Sequence, residues 1–497
     1  MPRRPAALAL AALAACARPA PPPPDAPQGL EGLDPDGREA VLLLRDLIRI
    51  DTVNPPPPGS GKPHANETAL VEFVRRVLAA DGIPSEIYES APGRGNLVAR
   101  YRGTGQKRPL LLMAHVDVVG FDRASWEVDP LAGEIRGGFL WGRGALDDKD
   151  DAAVFVQVLR ILARTRARLS RDVVLMLNAD EESGGRHGAR FMVERHADTI
   201  DGEFALNEGG RAILRGGAVA QYGIQTAEKI YNDFRIWVRG RSGHSSVPLP
   251  GNAILRLGGM LDKLGRFRLP VRVLETVAAQ MRGLADTPEM SPWRDALRRA
   301  AAGDLAAAEE LCREPRFNAL LRSTMVPTIV RGGIRENVLP PDAEVNVNAR
   351  LLPGDRIEDA VRRLMEHLGE SRYALVEGGE EAFERWKREN RAGDVAVFLT
   401  ERGADAPPSP LDTEMYRALE AVGRRLSPGA VVVPQLTTGA TDARFLRLKG
   451  VPCYGINPCP TEEEEEGTLH GPNERVRLAS VAFGVRFVRE VVLEVAR

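Results

Sequence analysis

The sequence predicts an α/β protein, a mainly parallel sheet flanked by helices and interrupted by a smaller α+β unit. Three observations carry this. Short apolar runs bounded by turn residues alternate with helical patterns, the mark of βαβ units. Near residue 230 the texture changes to alternating apolar and polar residues, as in half-exposed antiparallel strands. From Asp412 the first texture resumes, so a larger unit is split around a smaller one.

Taken in order, helical periodicity covers about 38 to 81, with a proline break at 55–58. Residues 96–99, 110–113, 173–177 and 204–206 read as buried strands, and 152–163 as a helix between the second and third. Residues 234–238, 344–348 and 373–376 alternate, while 252–264 is helical. The stretch 275–325 is rich in Ala, Arg and Glu and reads as a helical insertion. A helix at 412–425, a loop through 437–441, an apolar run near Val451 and a helix at 479–495 complete the chain. The expected divisions are a leader (1–15), a tether (16–37), a larger unit in two parts (38–228 and 396–497) and a smaller unit (229–395).

The chain has 497 residues, 43% hydrophobic and 27% charged, which is the composition of an ordinary globular protein. Lys+Arg total 67 against Asp+Glu 69, so no basic excess exists to hold a phosphate backbone, and nucleic acid is not an expected partner. Four cysteines, at 16, 312, 453 and 459, are too few for a disulfide scaffold. Cys453 and Cys459 are open to either the free or the paired state.

Arg3-Arg4 precedes an apolar stretch at 5–15 and then Cys16. Such a stretch is shorter than the roughly 20 residues needed to span a bilayer but suits a secretory leader. Leu13-Ala14-Ala15-Cys16 resembles the lipobox of bacterial lipoproteins, in which the Cys is acylated; a plain signal peptide is the alternative. The expected location is the periplasm or cell surface, anchored to the outer membrane through Cys16.

Polar residues stand where apolar strands end: His115 and Asp117 after 110–114, Glu181 and Glu182 after 173–179, and Glu208 after 204–207. Ligands of open α/β sheets bind beyond the strands' carboxyl ends. Acidic clusters brought to one edge repel each other unless a cation sits among them, and a metal pair meets that need. His115 and Asp117 are two apart on an extended strand end and face one side, which suits a ligand and the acid that orients it. Residues 142–149, GRGALDDK, mimic a dinucleotide loop, but Asp147 at the sixth position would repel a pyrophosphate.

Eight motifs in order resemble the M20 family of metallopeptidases and aminoacylases: HVD (115–117), GRGALDDK (142–149), DEESGG (180–185), NEGG (207–210), GRSGHSSVP (240–248), NARLLPG (348–354), TGATDAR (438–444) and HGPNE (470–474). The pattern is most similar to the carboxypeptidase S and N-acyl-amino-acid amidohydrolase branch. The resemblance implies two zinc ions per subunit, with cobalt or manganese as alternatives. His115 and Glu208 would hold one ion, Glu182 and His470 the other, and Asp147 would bridge them, followed by a cis peptide bond. Glu181 would be the general base acting on a metal-activated water, with Asp117 orienting His115.

The smaller unit, by the same resemblance, is a ferredoxin-like lid and dimerisation domain of a homodimer. From it His244 would reach the partner's active site to stabilise the oxyanion. Asn337 and Arg350 would hold the substrate's carboxylate, and Gly439 to Arg444 would line the same pocket. On the residues alone, His244 is equally a loop histidine and Arg350 a surface arginine. The implied reaction is hydrolysis of a C-terminal peptide or N-acyl amide bond beside a free carboxylate. A dipeptidase or aminopeptidase of the same fold, and a catalytically idle binding lipoprotein, are the alternatives.

Overall fold

A computed structural model of the chain describes residues 29–55, 65–390 and 394–497. The expected leader and Cys16 lie outside these residues. A nine-stranded sheet forms the larger unit, ordered Ser85–Glu89, Gly95–Tyr101, Val173–Asn178, Leu110–His115, Phe204–Asn207, Cys453–Gly455, Ala218–Glu228 and Val431–Thr437, with Arg211–Arg215 added beside Ala218–Glu228. The strands that deliver the acidic motifs, Val173–Asn178, Leu110–His115 and Phe204–Asn207, are parallel neighbours. Their polar ends therefore emerge on one edge.

Helix Lys149–Thr165 packs between helices Pro35–Ile48 and Leu478–Ala496 and against strand Leu110–His115. Its burial on all sides explains a segment that is apolar around nearly its whole circumference. Leu44, Leu112, Phe155, Leu175 and Val488 share the resulting core. The folded part begins before the expected boundary at 38: Leu30 is buried in this core and Asp34 caps the first helix by accepting from the Gly37 N–H.

The smaller unit is a five-stranded sheet ordered Thr324–Gly332, Asp342–Leu351, Ile230–Arg239, Val395–Arg402 and Ala374–Val376. Strand Asp342–Leu351 alternates strictly, burying Val345, Val347, Ala349 and Leu351 under helices Ala253–Arg266 and Ile357–Leu368. The expected boundary at 396 falls inside strand Val395–Arg402, which pairs with Ile230–Arg239. That strand reads as a continuous apolar run because both its faces are covered, Val395, Val397 and Leu399 on one side and Ala396 and Phe398 on the other.

The insertion near 275–325 is helical, with Glu275–Leu284, Arg294–Ala301, Leu305–Leu311 and Pro315–Leu321. It was expected to extend the lid. Instead Val277, Leu297, Leu311 and Phe317 close over Ala227 and Leu436, on the edge of the larger sheet. The Glu462–Glu466 run is a helical turn whose Glu465 is buried against Arg477. Cys312, Cys453 and Cys459 are free thiols. Among the described residues no helix is long and apolar enough to cross a membrane.

Candidate metal centre

Each acidic motif is set by the way its strand ends. His115 closes strand Leu110–His115, and Glu208 follows strand Phe204–Asn207. Glu181 and Glu182 occupy a single turn after strand Val173–Asn178. The Gly209-Gly210 pair after Glu208 has a packing reason: a Cβ on Gly210 would stand 2.4 Å from the Ile456 Cα. Asp147 sits in the loop before helix Lys149–Thr165, at a cis peptide bond to Asp148. His470 arrives from the far end of the chain with φ of 57°, a left-handed conformation uncommon for a residue with a Cβ.

These five side chains converge as two triples that share Asp147: His115, Asp147 and Glu208, and Asp147, Glu182 and His470. Within each, the ligating atoms lie within 4.8 Å of one another. His115 Nε2 is 2.9 Å from Asp147 Oδ1 and 4.0 Å from Glu208 Oε1. His470 Nε2 is 2.8 Å from Asp147 Oδ2 and 3.3 Å from Glu182 Oε1. Glu182 Oε1 is buried and makes no well-formed hydrogen bond despite that proximity. Imidazole nitrogen with carboxylate oxygen, three donors per triple, suits zinc, manganese or cobalt, so the residues fit a pair of divalent ions.

Asp117 is fully buried and does not join either triple. Its backbone carbonyl is 3.0 Å from His115 Nδ1, and its carboxylate accepts from the Glu181 and Glu182 N–H groups at 3.0 and 3.2 Å. It thus orients the ring and fixes the turn carrying both glutamates. Asn54, which sequence reasoning passed over as the start of a proline break, donates to Asp117 at 2.8 Å and to Asp180 at 3.1 Å.

A second support was also missed. Buried Arg143 is ion-paired with buried Glu474 and donates to the carbonyls of His470 and Gly471 at 3.1 and 3.0 Å. Glu474 also accepts from the Leu146 N–H at 2.8 Å. The pair therefore ties the Asp147 loop to the His470 loop. Both residues lie inside motifs, and their opposite charges were the available signal.

The electrostatics follow from this crowding. Burial pushes the Glu208 carboxyl up to about 8, and burial together with the Glu208 charge raises Glu181 well above its ordinary value. Burial acts on Asp147 in the same sense, but the bonded imidazoles of His115 and His470 outweigh it and hold Asp147 low. The hydrogen-bonded Asp147 carboxylate, and then the adjacent Glu182 carboxylate, lift His470 to about 10. Behind the triples, Asp148, Asp150 and Asp151 are packed together and buried, with Asp148 accepting from the His115 N–H at 3.1 Å.

A cavity of about 1030 Å³ opens on this centre, lined by Asp147, Glu181, Glu182, Glu208 and His470 from the larger unit. Gly439, Arg444 and Arg350 line it too, as does Lys229, which sequence reasoning did not single out. No residue of the 275–325 insertion is among its lining residues. His244 and Asn337 lie elsewhere. His244 is exposed on a two-residue strand paired with Val338–Leu339, its Nδ1 2.7 Å from Ser246 Oγ, and the Asn337 carbonyl accepts from the Ser245 N–H.

The profile of peptidase family M20/M25/M40 matches residues 111–494. The chain belongs to this family. It is 26% identical over 469 residues to an N-fatty-acyl-amino acid synthase/hydrolase of Xenopus tropicalis, covering 92% of this chain and 86% of the relative. It is 25% identical over 430 residues to carboxypeptidase S of Saccharomyces cerevisiae, covering 78% and 72%. The fold is similar to that of an M20 family metallo-carboxypeptidase from Sulfolobus solfataricus, with a TM-score of 0.67 at 15% identity, covering 91% and 98%. M20 membership makes this chain a metal-dependent hydrolase of the peptidase and amidohydrolase type.

Two outcomes follow for this M20 centre. Glu474→Ala strands Arg143 in the interior, which costs about 3–5 kcal/mol and is read as a loss of unfolding free energy in denaturant. In metal-free protein, Glu208 and His470 both bind protons more tightly folded than unfolded, from ordinary values of 4.5 and 6.5 to about 8 and 10. Their stabilisation is complete below those ordinary values and is lost as pH rises through the folded ones. The melting temperature of chelator-treated protein is therefore expected to fall between pH 5 and pH 10, and added zinc to flatten the fall.

Proposed function

We propose that this protein is a dizinc amidohydrolase that cleaves an N-acyl amino acid, or a C-terminal peptide bond, at the amide beside a free carboxylate. The observation that carries this is one carboxylate, Asp147, shared by two imidazole–carboxylate triples at a cavity that also holds Arg350. The N-acyl amino acid class is supported by the Xenopus relative and the C-terminal peptide class by the yeast one. Both substrates present the same group, an amide flanked by a carboxylate.

His115, Asp147 and Glu208 would hold one ion and Asp147, Glu182 and His470 the other. Such ions, when bound, polarise the amide carbonyl and lower the pKa of a water to about 7. Glu181 takes the proton of the attacking water on a carboxylate oxygen as the oxygen bonds to the carbonyl carbon. It then delivers that proton to the amide nitrogen as the C–N bond breaks. Asp117 keeps His115 and the two glutamates in register throughout. Arg350, whose guanidinium lies 4.4 Å over the Tyr231 ring, offers its fork to the substrate carboxylate, beside Gly439 and Arg444.

The same proposal includes a homodimer built on the smaller unit. Edge strand Thr324–Gly332 exposes Val326, Ile329 and Val330, and the neighbouring helix exposes Ile254 and Leu255. A long apolar edge strand is a ready pairing surface, and a second copy would cover it by two-fold symmetry. His244 and Asn337, exposed on the same unit, would then act in the partner's site. Lipid anchoring at Cys16, to the outer membrane facing the periplasm or the cell surface, completes the proposal and rests on the N-terminal sequence.

Chelation is expected to abolish hydrolysis of N-acyl amino acids, and zinc to restore it. Glu181→Gln is expected to keep its metal content by elemental analysis while turnover falls at least about 100-fold; full turnover would refute its role. Glu181→Gln and His244→Ala proteins, each inactive alone, are expected to recover about a quarter of wild-type turnover when mixed and allowed to exchange. Half of the random dimers then hold one complete site. No recovery would rule out a histidine acting across the dimer.

A further inference from the structure

Five cationic side chains besides His470 line the cavity: Arg190, Lys229, Arg350, Arg402 and Arg444. Arg190 is ion-paired with Glu194, and Arg402 with Glu358 and Glu377. Arg444 spends its donors on the carbonyls of Thr441 and Gly184, at 2.9 and 3.0 Å. Lys229 and Arg350, like Arg444, have no carboxylate in an ion pair among the described residues, and these two are neighbours through Thr324. Arg350 donates to Asn348 Oδ1 at 3.3 Å and to the Thr438 carbonyl at 3.5 Å.

Lys229 is the more constrained of the two. It stands at the junction between strand Ala218–Glu228 of the larger unit and strand Ile230–Arg239 of the smaller one. The residue is 1% exposed, and its Nζ donates to the Arg322 carbonyl at 2.9 Å and to Thr324 Oγ1 at 3.3 Å. An ammonium has three N–H groups, so one remains. Thr324 is the direct cross-strand partner of Arg350, which places the Lys229 ammonium next to the root of the Arg350 side chain. Burial, and then the Arg350 charge, lower Lys229 to about 7. Asp233 acts on Arg350 and Asp355 on Lys229, but neither is ion-paired to its cation among the described residues. Two neighbouring desolvated cations so weakly answered are costly in the free protein, and an incoming anion removes that cost.

We propose that Lys229 and Arg350 together form the cradle for the substrate's free carboxylate, so that Lys229 is a specificity-determining residue of this site. The proposal rests on the amidohydrolase reading above. The Arg350 fork takes one carboxylate face-on, and the third Lys229 N–H adds a charge-assisted bond to the same group. The cradle selects an anionic end and discriminates against the corresponding neutral amide, which would leave both cations unpaired.

The test uses the full metal-loaded chain and two matched substrates, an N-acyl amino acid and the same compound with its carboxylate converted to a carboxamide. For Lys229→Met, kcat/KM on the carboxylate is expected to fall about 10–100-fold further than on the carboxamide, mainly through KM. Lys229→Arg, which keeps the charge, is expected to regain most of the preference. Equal losses on both substrates would show a purely structural lysine and overturn the proposal, as would no loss on either. If the wild-type chain cleaved neither substrate, the amidohydrolase reading itself would fall and the cradle with it, an outcome distinct from equal losses in an active enzyme.

Discussion

The structure is organised around negative charge that has been gathered out of water. Asp147, Glu181, Glu182 and Glu208 meet at one sheet edge, with Asp117, Asp148, Asp150 and Asp151 buried behind them. An isolated buried carboxylate is expensive, so each must find a proton, a hydrogen-bond donor or a cation. Three of the outlying acids are satisfied by the chain itself: Asp117 by two backbone N–H groups and Asn54, Asp180 by Asn54 and the His187 N–H, and Glu474 by Arg143. Asp147, Glu181, Glu182 and Glu208 have only the imidazoles of His115 and His470 beside them for ion pairing among the described residues. The upward displacement of Glu181, Glu182 and Glu208 in the metal-free chain is the sign of a site whose missing positive charge comes from outside the sequence.

That pattern explains what was legible beforehand. His115, Glu181, Glu182 and Glu208 could be read because each follows an apolar run, and a parallel sheet delivers such ends to a common edge. Asp147 and His470 do not follow a long strand; their place was readable only through likeness to a family. The ties between loops had no more signal than two opposite charges in separate motifs. Arg143 and Glu474 are 331 residues apart, and nothing local in the sequence says that one buried charge answers the other. Lys229 was invisible for a related reason, since its surroundings are backbone oxygens and a threonine hydroxyl rather than a motif.

The fold departs from its sequence reading for physical reasons too. Strand Val395–Arg402 carries a run that is apolar on consecutive positions, the habit of a strand covered on both faces, and so resembles the strands of the larger unit. It is covered because helices Ile357–Leu368 and Gly379–Glu389 lie over the two faces of the smaller sheet, through Leu364 and Phe383. The helical insertion contributes to the larger sheet's flank and supplies none of the residues that line the cavity.

In the proposed reaction, the placement of charge around the cavity bears on which bond is cut. The acids of the metal centre come from the larger unit, while Arg350 and Lys229 come from the smaller sheet and the junction leading into it. A substrate bound with its carboxylate toward Glu181 and Glu208 would add a like charge to a site already short of positive charge. Bound the other way, the carboxylate meets two unpaired cations and the neighbouring amide carbonyl is carried toward the two triples. Orientation is then enforced by repulsion at one end as much as by attraction at the other. The side chain and the acyl group are left to shape alone, where each methylene contributes only about 1–3 kcal/mol. On the proposed function, a site of this kind would be strict about the position of a carboxylate and tolerant of what is attached on either side of the amide.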